Sequence, residues 1–313
     1  MALGIDLGGT NLKGAIVSRD GDIRLMRTTP TRAEEGVEVV LRNVSQFIRD
    51  LLQAWDGAPP TKLGIGVPGP CIRDTGMVPT CVNIPGWKDE PLREMLEEEF
   101  ALTVSVENDA KVATFAEAKI GAGRGLKYLV MLTLGTSVGS GIVANGVLLR
   151  GRDTSAGELG HTIIDVDGPS CTCGNRGCLA SFVGAPAIVE RALKRLNDGG
   201  KSVLAGAAGD LTQLDAGLIA RAAEAGDELA REVMAETAWY LGIGVGNLIN
   251  IFNPEMVILG GGVAAAGELL LEKVRAVAGH SALHGLAENV KIVPATLGPA
   301  AGVVGAGLMS FEG

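Results

Sequence analysis

Leu3-Gly-Ile-Asp-Leu-Gly-Gly-Thr-Asn-Leu-Lys-Gly-Ala-Ile-Val17 is the stretch from which the architecture of this chain is read. Leu3 to Leu7 reads as a short buried strand, Gly8-Gly9-Thr10-Asn11 as a tight turn, and Leu12 to Val17 as the returning strand. Such a hairpin carries one acid, Asp6, at its rim. Glycines in the turn let backbone amides approach a ligand closely, and Thr10 and Asn11 add polar groups, as a phosphate-cradling turn requires. Taken alone, the element is equally an ordinary hairpin with a capping aspartate.

The same pattern returns in Val130-Met-Leu-Thr-Leu-Gly-Thr-Ser-Val-Gly-Ser-Gly-Ile-Val143. Asp6-Leu7-Gly8 followed by Gly14-Ala-Ile corresponds to Thr133-Leu134-Gly135 followed by Gly141-Ile-Val at identical spacing. A duplication at about 125 residues implies two related α/β halves whose glycine-rich turns face one cleft. Thr133 replaces the acid in the second copy, so one half would handle a charged metal-phosphate group and the other would donate hydrogen bonds to it.

Between the hairpins, helical spacing runs over 36–55 and a strand over 62–67. Gly64-Ile-Gly-Val-Pro-Gly69 formally matches a dinucleotide fingerprint, but Pro68 and Pro70 forbid the helix which that fingerprint needs. It reads instead as a strand entering a substrate-side loop, followed by a further loop at Asn83-Ile-Pro-Gly-Trp87. After a helix over 91–100, Thr103 to Glu107 is a strand that delivers Asn108 and Asp109 at its carboxyl end, where ligands bind in open α/β sheets. Asp109 is therefore a candidate general base; on spacing alone it is equally the N-cap of the helix over 110–120.

Gly157-Glu-Leu-Gly-His161 opens a stretch that gathers one of three histidines and three of five cysteines: His161, Cys171, Cys173 and Cys178. Three thiolates and an imidazole on a glycine-rich loop are a ligand set for tetrahedral, structural zinc. Buried thiols, or a disulfide between Cys173 and Cys178, are the alternative. A closed zinc site cannot activate water, so its task would be to hold Glu158 and His161 where a substrate meets them.

Later helices are expected over 185–196, 215–224, 228–250 and 302–311. A buried strand from Met256 ends in Gly260-Gly261-Gly262, and another lies at 290–294. His280 and His284, four apart, could share a helix face and read as surface residues. The 313-residue chain has room for two cores, and its 47% hydrophobic and 20% charged composition describes an ordinary globular α/β protein. A net charge of -9 disfavours nucleic acid as partner, no segment reaches a membrane span, and no targeting segment precedes the first strand, so the cytoplasm is expected.

Asp6-Leu-Gly-Gly-Thr10-Asn11, Val67-Pro-Gly-Pro70, Asn83-Ile-Pro-Gly-Trp87, Glu107-Asn-Asp109-Ala, Leu134-Gly-Thr136, Gly157-Glu-Leu-Gly-His161, Cys171-Thr-Cys-Gly-Asn-Arg-Gly-Cys178 and Gly260-Gly-Gly262, in this order, resemble the ROK family of sugar kinases over essentially the whole chain. The resemblance implies an actin-like, hexokinase-like ATPase fold with two α/β domains around a cleft, ATP with magnesium, a structural zinc and a homodimer. It places a small domain at 1–115, completed by the helix at 300–313, and a large one at 116–299 with the zinc loop. Asp109 would take the proton from a sugar hydroxyl, with Asn83, Asn108, Glu158 and His161 binding the sugar. Asp6, Gly8, Gly9, Thr10, Asn11, Lys13, Gly135 and Thr136 would hold magnesium and phosphates, and Gly260, Gly261 and Gly262 would line the adenosine site.

Two positions depart from the family: Ala180 stands where Cys-Leu-Glu is common, and Ser137 where an extra glycine is common. The expected reaction is transfer of phosphate from ATP to the 6-hydroxyl of a hexose, glucose first. N-acetylmannosamine, allose, fructose or mannose are alternatives, with Ala180 making room. A sugar-sensing regulator is a further alternative, disfavoured by the charge and by a first strand that begins at once.

Overall fold

In the computed structural model, which describes residues 1–81, 83–207 and 213–312, each of the two hairpins seeds a five-stranded sheet. The first comprises β1 (Ala2–Leu7), β2 (Asn11–Val17), β3 (Ile23–Pro30), β4 (Lys62–Val67) and β5 (Thr103–Asn108), in the order β3-β2-β1-β4-β5. The second comprises β6 (Leu129–Leu134), β7 (Val138–Ala144), β8 (Val147–Leu148), β9 (Met256–Gly260) and β10 (Lys291–Pro294), in the order β10-β9-β6-β7-β8. In both, the first three strands in chain order form an antiparallel meander and the last two extend the sheet in parallel on the other side of the first strand. The duplication read from spacing is thus a duplication of topology. β1 and β6 sit mid-sheet with nearly every residue buried, which is why they read as short continuous apolar runs. β3 escapes the sequence reading because it is an edge strand, mostly exposed and without an apolar alternation.

Helices α1 (Val37–Ala54) and α2 (Leu92–Phe100) belong to the first half, and Val40, Val44, Ile48 and Leu51 of α1 pack into the core of the first sheet. The second half carries α4 (Ala180–Val183), α5 (Ala185–Asn197), α6 (Leu204–Ala207), α7 (Ala216–Glu224), α8 (Glu228–Phe252) and α9 (Gly267–Ser281) around its own core. Two helices join the halves. α3 (Asp109–Lys119) and α10 (Ala301–Met309) share a third core with Ala15 and Val17 of the first sheet and Leu129, Met131, Val143 and Ile258 of the second. α10 approaches the first sheet so closely that a Cβ at Gly64 would collide with the carbonyl oxygen of Ala306, so glycine is required there.

α9 has no counterpart in the sequence reading, and it separates the two histidines. His280 lies in its last turn, the chain leaves the helix in extended conformation at Ala282, and His284 lies beyond it, so the two share no helix face. Among the described residues no helix is long and apolar enough to cross a membrane.

Candidate active site

The site begins at the carboxyl end of β5. Asn108, in extended conformation, caps α3: its Oδ1 accepts from the backbone N–H groups of Ala110 and Lys111 at 3.1 and 3.2 Å. Its Nδ2 donates to the carbonyl oxygen of Gly69 at 3.3 Å, tying β5 to the loop after β4. The capping role therefore falls to Asn108 and leaves Asp109 to face the cavity, with one carboxylate oxygen accepting from Ala110 N–H at 2.7 Å. Burial pushes the Asp109 carboxyl up to about 7, Asp6 and Glu158 add to the rise, and the Ala110 N–H opposes it. A carboxyl held there exists in both protonation states near neutrality, as a general base requires.

Two backbone turns meet it, one from each half. In the first, Gly8 N–H donates to Asn11 O at 3.0 Å, while Thr31 clamps the turn through Oγ1 to Gly8 O at 2.6 Å and N–H to Thr10 O at 2.9 Å. In the second, Gly135 N–H donates to Ser137 O at 2.9 Å, and Gly135 O accepts from Ala185 N–H at 2.8 Å, fixing the turn to the start of α5. A cavity of about 580 Å³ lies between them and brings together Gly9, Asn83, Asn108, Asp109, Gly135, Thr136, Glu158, His161 and Gly261.

Of the other residues singled out in sequence, Gly8, Thr10, Asn11, Lys13, Gly260 and Gly262 do not line this cavity, and Thr10 and Asn11 are exposed. Asp6 stands behind it, near enough to raise the Asp109 carboxyl. Its own carboxyl is also raised by burial, with Lys13, its cross-strand partner, the opposing cation. A half-buried carboxyl, raised by desolvation and opposed by the Lys13 cation, suits a further positive charge, so the donor chemistry here fits a magnesium ion carried in by phosphates.

The four candidate metal ligands converge: His161 Nδ1 and the Sγ atoms of Cys171, Cys173 and Cys178 all lie within 4.8 Å of one another. Cys173 and Cys178 sulfurs are 3.7 Å apart, and Cys171 Sγ is 3.6 Å from His161 Nδ1. A disulfide needs about 2.05 Å, so these thiols are not bonded. Zinc–sulfur and zinc–nitrogen bonds of about 2.3 and 2.0 Å at tetrahedral angles give edges of about 3.8 and 3.5 Å, within about 0.1 Å of these distances. The cluster can thus hold zinc, with His161 presenting its ring to the cavity from the far side.

Two features were not legible. Ser155 joins Glu158 on the cavity wall. A second, mainly apolar cavity of about 680 Å³ runs between α5 and the start of α7, past Pro186, Val189, Leu193, Leu214 and Ala216, and shares Thr136 with the first. Its residues come from two helices with ordinary amphipathic spacing, so no motif announced it. Ala180, the departure noted in sequence, is buried as the first residue of α4 in the core of the second half and is not on the cavity wall.

The model of the ROK family matches residues 2–311. A glucokinase of Halalkalibacterium halodurans is 39% identical, over 97% of this chain and 93% of its own. A xylose repressor of Caldicellulosiruptor bescii is 32% identical, over 97% of this chain and 76% of its own. Among solved structures, a ROK family glucokinase from Streptomyces griseus in complex with glucose and AMPPNP superposes with a TM-score of 0.90 at 31% identity, covering 100% of this chain and 99% of that one.

Proposed function

The chain belongs to the ROK family, and from that premise we propose that it is an ATP-dependent hexokinase that phosphorylates the 6-hydroxyl of a hexose, glucose before others. One observation carries the reading: Asp109, with its carboxyl near 7, shares a cavity with the sugar-side residues Asn83, Glu158 and His161 and with the glycine turns of both halves.

Asp109 accepts the proton of the hydroxyl as that oxygen attacks the γ-phosphorus. Asn108 retains one N–H beyond its bond to Gly69 and offers it to the sugar, while Glu158 and His161 bind further hydroxyls. The turns at Gly8–Asn11 and Gly135–Ser137 offer backbone N–H groups to the phosphates, and Asp6 would hold magnesium, which neutralises phosphate charge when bound. The apolar cavity beside α5 takes the nucleotide base, and Thr136, on the walls of both cavities, sits between base and sugar. Gly261 lines the cavity between the two turns, and none of 260–262 lines the apolar one, so the adenosine role read for that run is proposed jointly with α5 and the start of α7. Little covalent chemistry is asked of the protein; positioning and charge neutralisation supply the rate.

Zinc, held by His161, Cys171, Cys173 and Cys178, would fix the imidazole through Nδ1 and leave Nε2 as donor to the sugar. Ala180 lies off the cavity wall, so its small side chain opens no room there for a substituted sugar such as N-acetylmannosamine, which supports glucose as the first substrate to try. A homodimer is carried over from the resemblance and is read by sedimentation.

The test is ADP release with magnesium-ATP against glucose, mannose, N-acetylglucosamine, N-acetylmannosamine, allose and fructose. Turnover fastest on glucose is expected, and silence on every sugar would sink the reading. The repressor relative supports a second reading, a sugar-sensing regulator; a sugar-dependent shift of labelled DNA at physiological salt, without turnover, would favour it.

A further inference from the structure

Lys111 is among the largest side chains that the fold buries completely, at 1% exposure, and the catalytic scheme gives it no task. It lies on α3 two residues after Asp109. Its ammonium donates to the carbonyl oxygen of Thr154, in the loop between β8 and the short turn Leu159–His161. That loop carries Ser155 and Glu158 on the cavity wall.

Its conformation is unusual. Gly151, Thr154 and Gly157 all have positive φ, at 76°, 67° and 91°. For threonine, a β-branched residue, this conformation is unfavourable and persists only where neighbours over-determine it. Thr154 is itself buried, so its carbonyl would lack a partner without Lys111.

A second grip lies on the other side of the base. Glu107, two residues before Asp109 and buried, accepts from Arg150 Nε at 2.7 Å through one oxygen and from Asn108 N–H at 3.1 Å through the other. Arg150 opens the same loop, whose ends are closed by Ala156 N–H to Arg150 O at 2.9 Å. Residues 107 and 111 thus bracket the base and hold residues 150 and 154 of the loop. Burying an ammonium costs several kcal/mol that an apolar side chain would not. Stability alone does not explain a lysine here; a fixed distance between loop and base does.

We propose that Lys111 is a positioning residue that locks the loop 150–158 to the helix of the general base, and so sets how tightly the sugar hydroxyls facing Glu158 are held. The Glu107–Arg150 pair is the second half of the lock. This rests on the kinase reading for its consequence and on the loop geometry for its mechanism, and the test separates the two.

Lys111→Met keeps an unbranched apolar stem of four heavy atoms and removes the donor. Hydrogen exchange across 150–158 is expected to quicken at least tenfold while the amides of β1 and β6 keep their protection. The KM for the sugar is expected to rise about tenfold, with the KM for ATP within twofold of the original. Arg150→Met, at a side chain 17% exposed, releases the second grip and is expected to move both readouts in the same direction by less. It also serves as the test variant should Lys111→Met fold poorly.

Unchanged exchange in the loop would overturn the proposal whether or not any sugar is phosphorylated. A parallel rise in both KM values with general loss of protection would overturn it too, since that is the signature of a merely structural lysine. Silence of the unaltered protein on every sugar would sink the kinase reading and leave the exchange result to decide the lock.

Discussion

Asp109 is half-buried on the cavity wall and yet must ionise to work, and that conflict makes its behaviour measurable. Its carboxyl is raised from 3.8 to about 7, chiefly by burial. If it is the base, kcat/KM for the sugar falls about tenfold per pH unit below 7 and is flat above it, and Asp109→Asn lowers turnover by about 10²–10⁴-fold. The sign of the stability effect follows from the same shift. Below about pH 4 the carboxyl is protonated in folded and unfolded chains alike and its burial costs nothing. Between about pH 4 and 7 the unfolded chain ionises, whereas the native carboxyl must keep its proton or carry a poorly solvated charge, so stability is lost across that interval and is level above it. At pH 8 Asp109→Asn should therefore be more stable than the original and melt higher. Below pH 4 the two should melt alike. A variant inactive but no more stable at pH 8 would show that the Asp109 carboxylate is not desolvated in the native state.

At the scale of elements, what the sequence made legible was whatever chemistry concentrates within a few residues. The two hairpins declared themselves by equal spacing of Asp6-Leu7-Gly8 and Thr133-Leu134-Gly135, because tight turns need glycine at fixed offsets. The metal cluster declared itself through rare residue types. α9 did not: its N-cap is Ala266, with no capping hydrogen bond from a side chain, so it lacks a start signal. The cavity beside α5 and the Lys111–Thr154 bond were invisible because they join residues far apart in sequence. Asn108 and Asp109 lay between these cases: the spacing located both, and only geometry divided cap from base.

The loop 161–178 is the element whose order depends most on a bound metal. Its fold is short turns, with Gly174 and Gly177 at positive φ and isolated bridges at Ile163–Cys178 and Ser170–Arg176, too little to stand alone. If zinc closes it, the purified protein holds about one zinc per chain, and Cys178→Ser or a strong chelator removes the metal. Proteolysis within the loop should then quicken and sugar binding should be lost, since His161 is both ligand and cavity wall. Metal-free protein with full sugar affinity would refute the ligand set.

At the scale of the whole molecule, two copies of one topology are held together by helices that belong to neither copy alone. α10 comes from the far end of the chain, yet it lies on the sheet formed by the first residues, where Gly4 and Gly64 leave room for its backbone. Val303, Val304 and Met309 pack with Ala15, Val17, Val112 and Phe115 in the core that also takes in Met131 and Ile258. Each fully buried apolar side chain is worth about 1.5–3 kcal/mol, so removing the helix strips several such contributions from a fold whose net stability is about 5–15 kcal/mol. We therefore expect a chain ending at residue 299 to be unfolded or aggregated, with the loss centred on 1–115, the division proposed for the small half. Adding a peptide of residues 300–313 in trans should restore part of the protection of β1 and β4 in hydrogen exchange. If the shortened chain instead kept full protection in those strands, α10 would be an accessory to the second half, and the division at 115 with its C-terminal completion would be wrong.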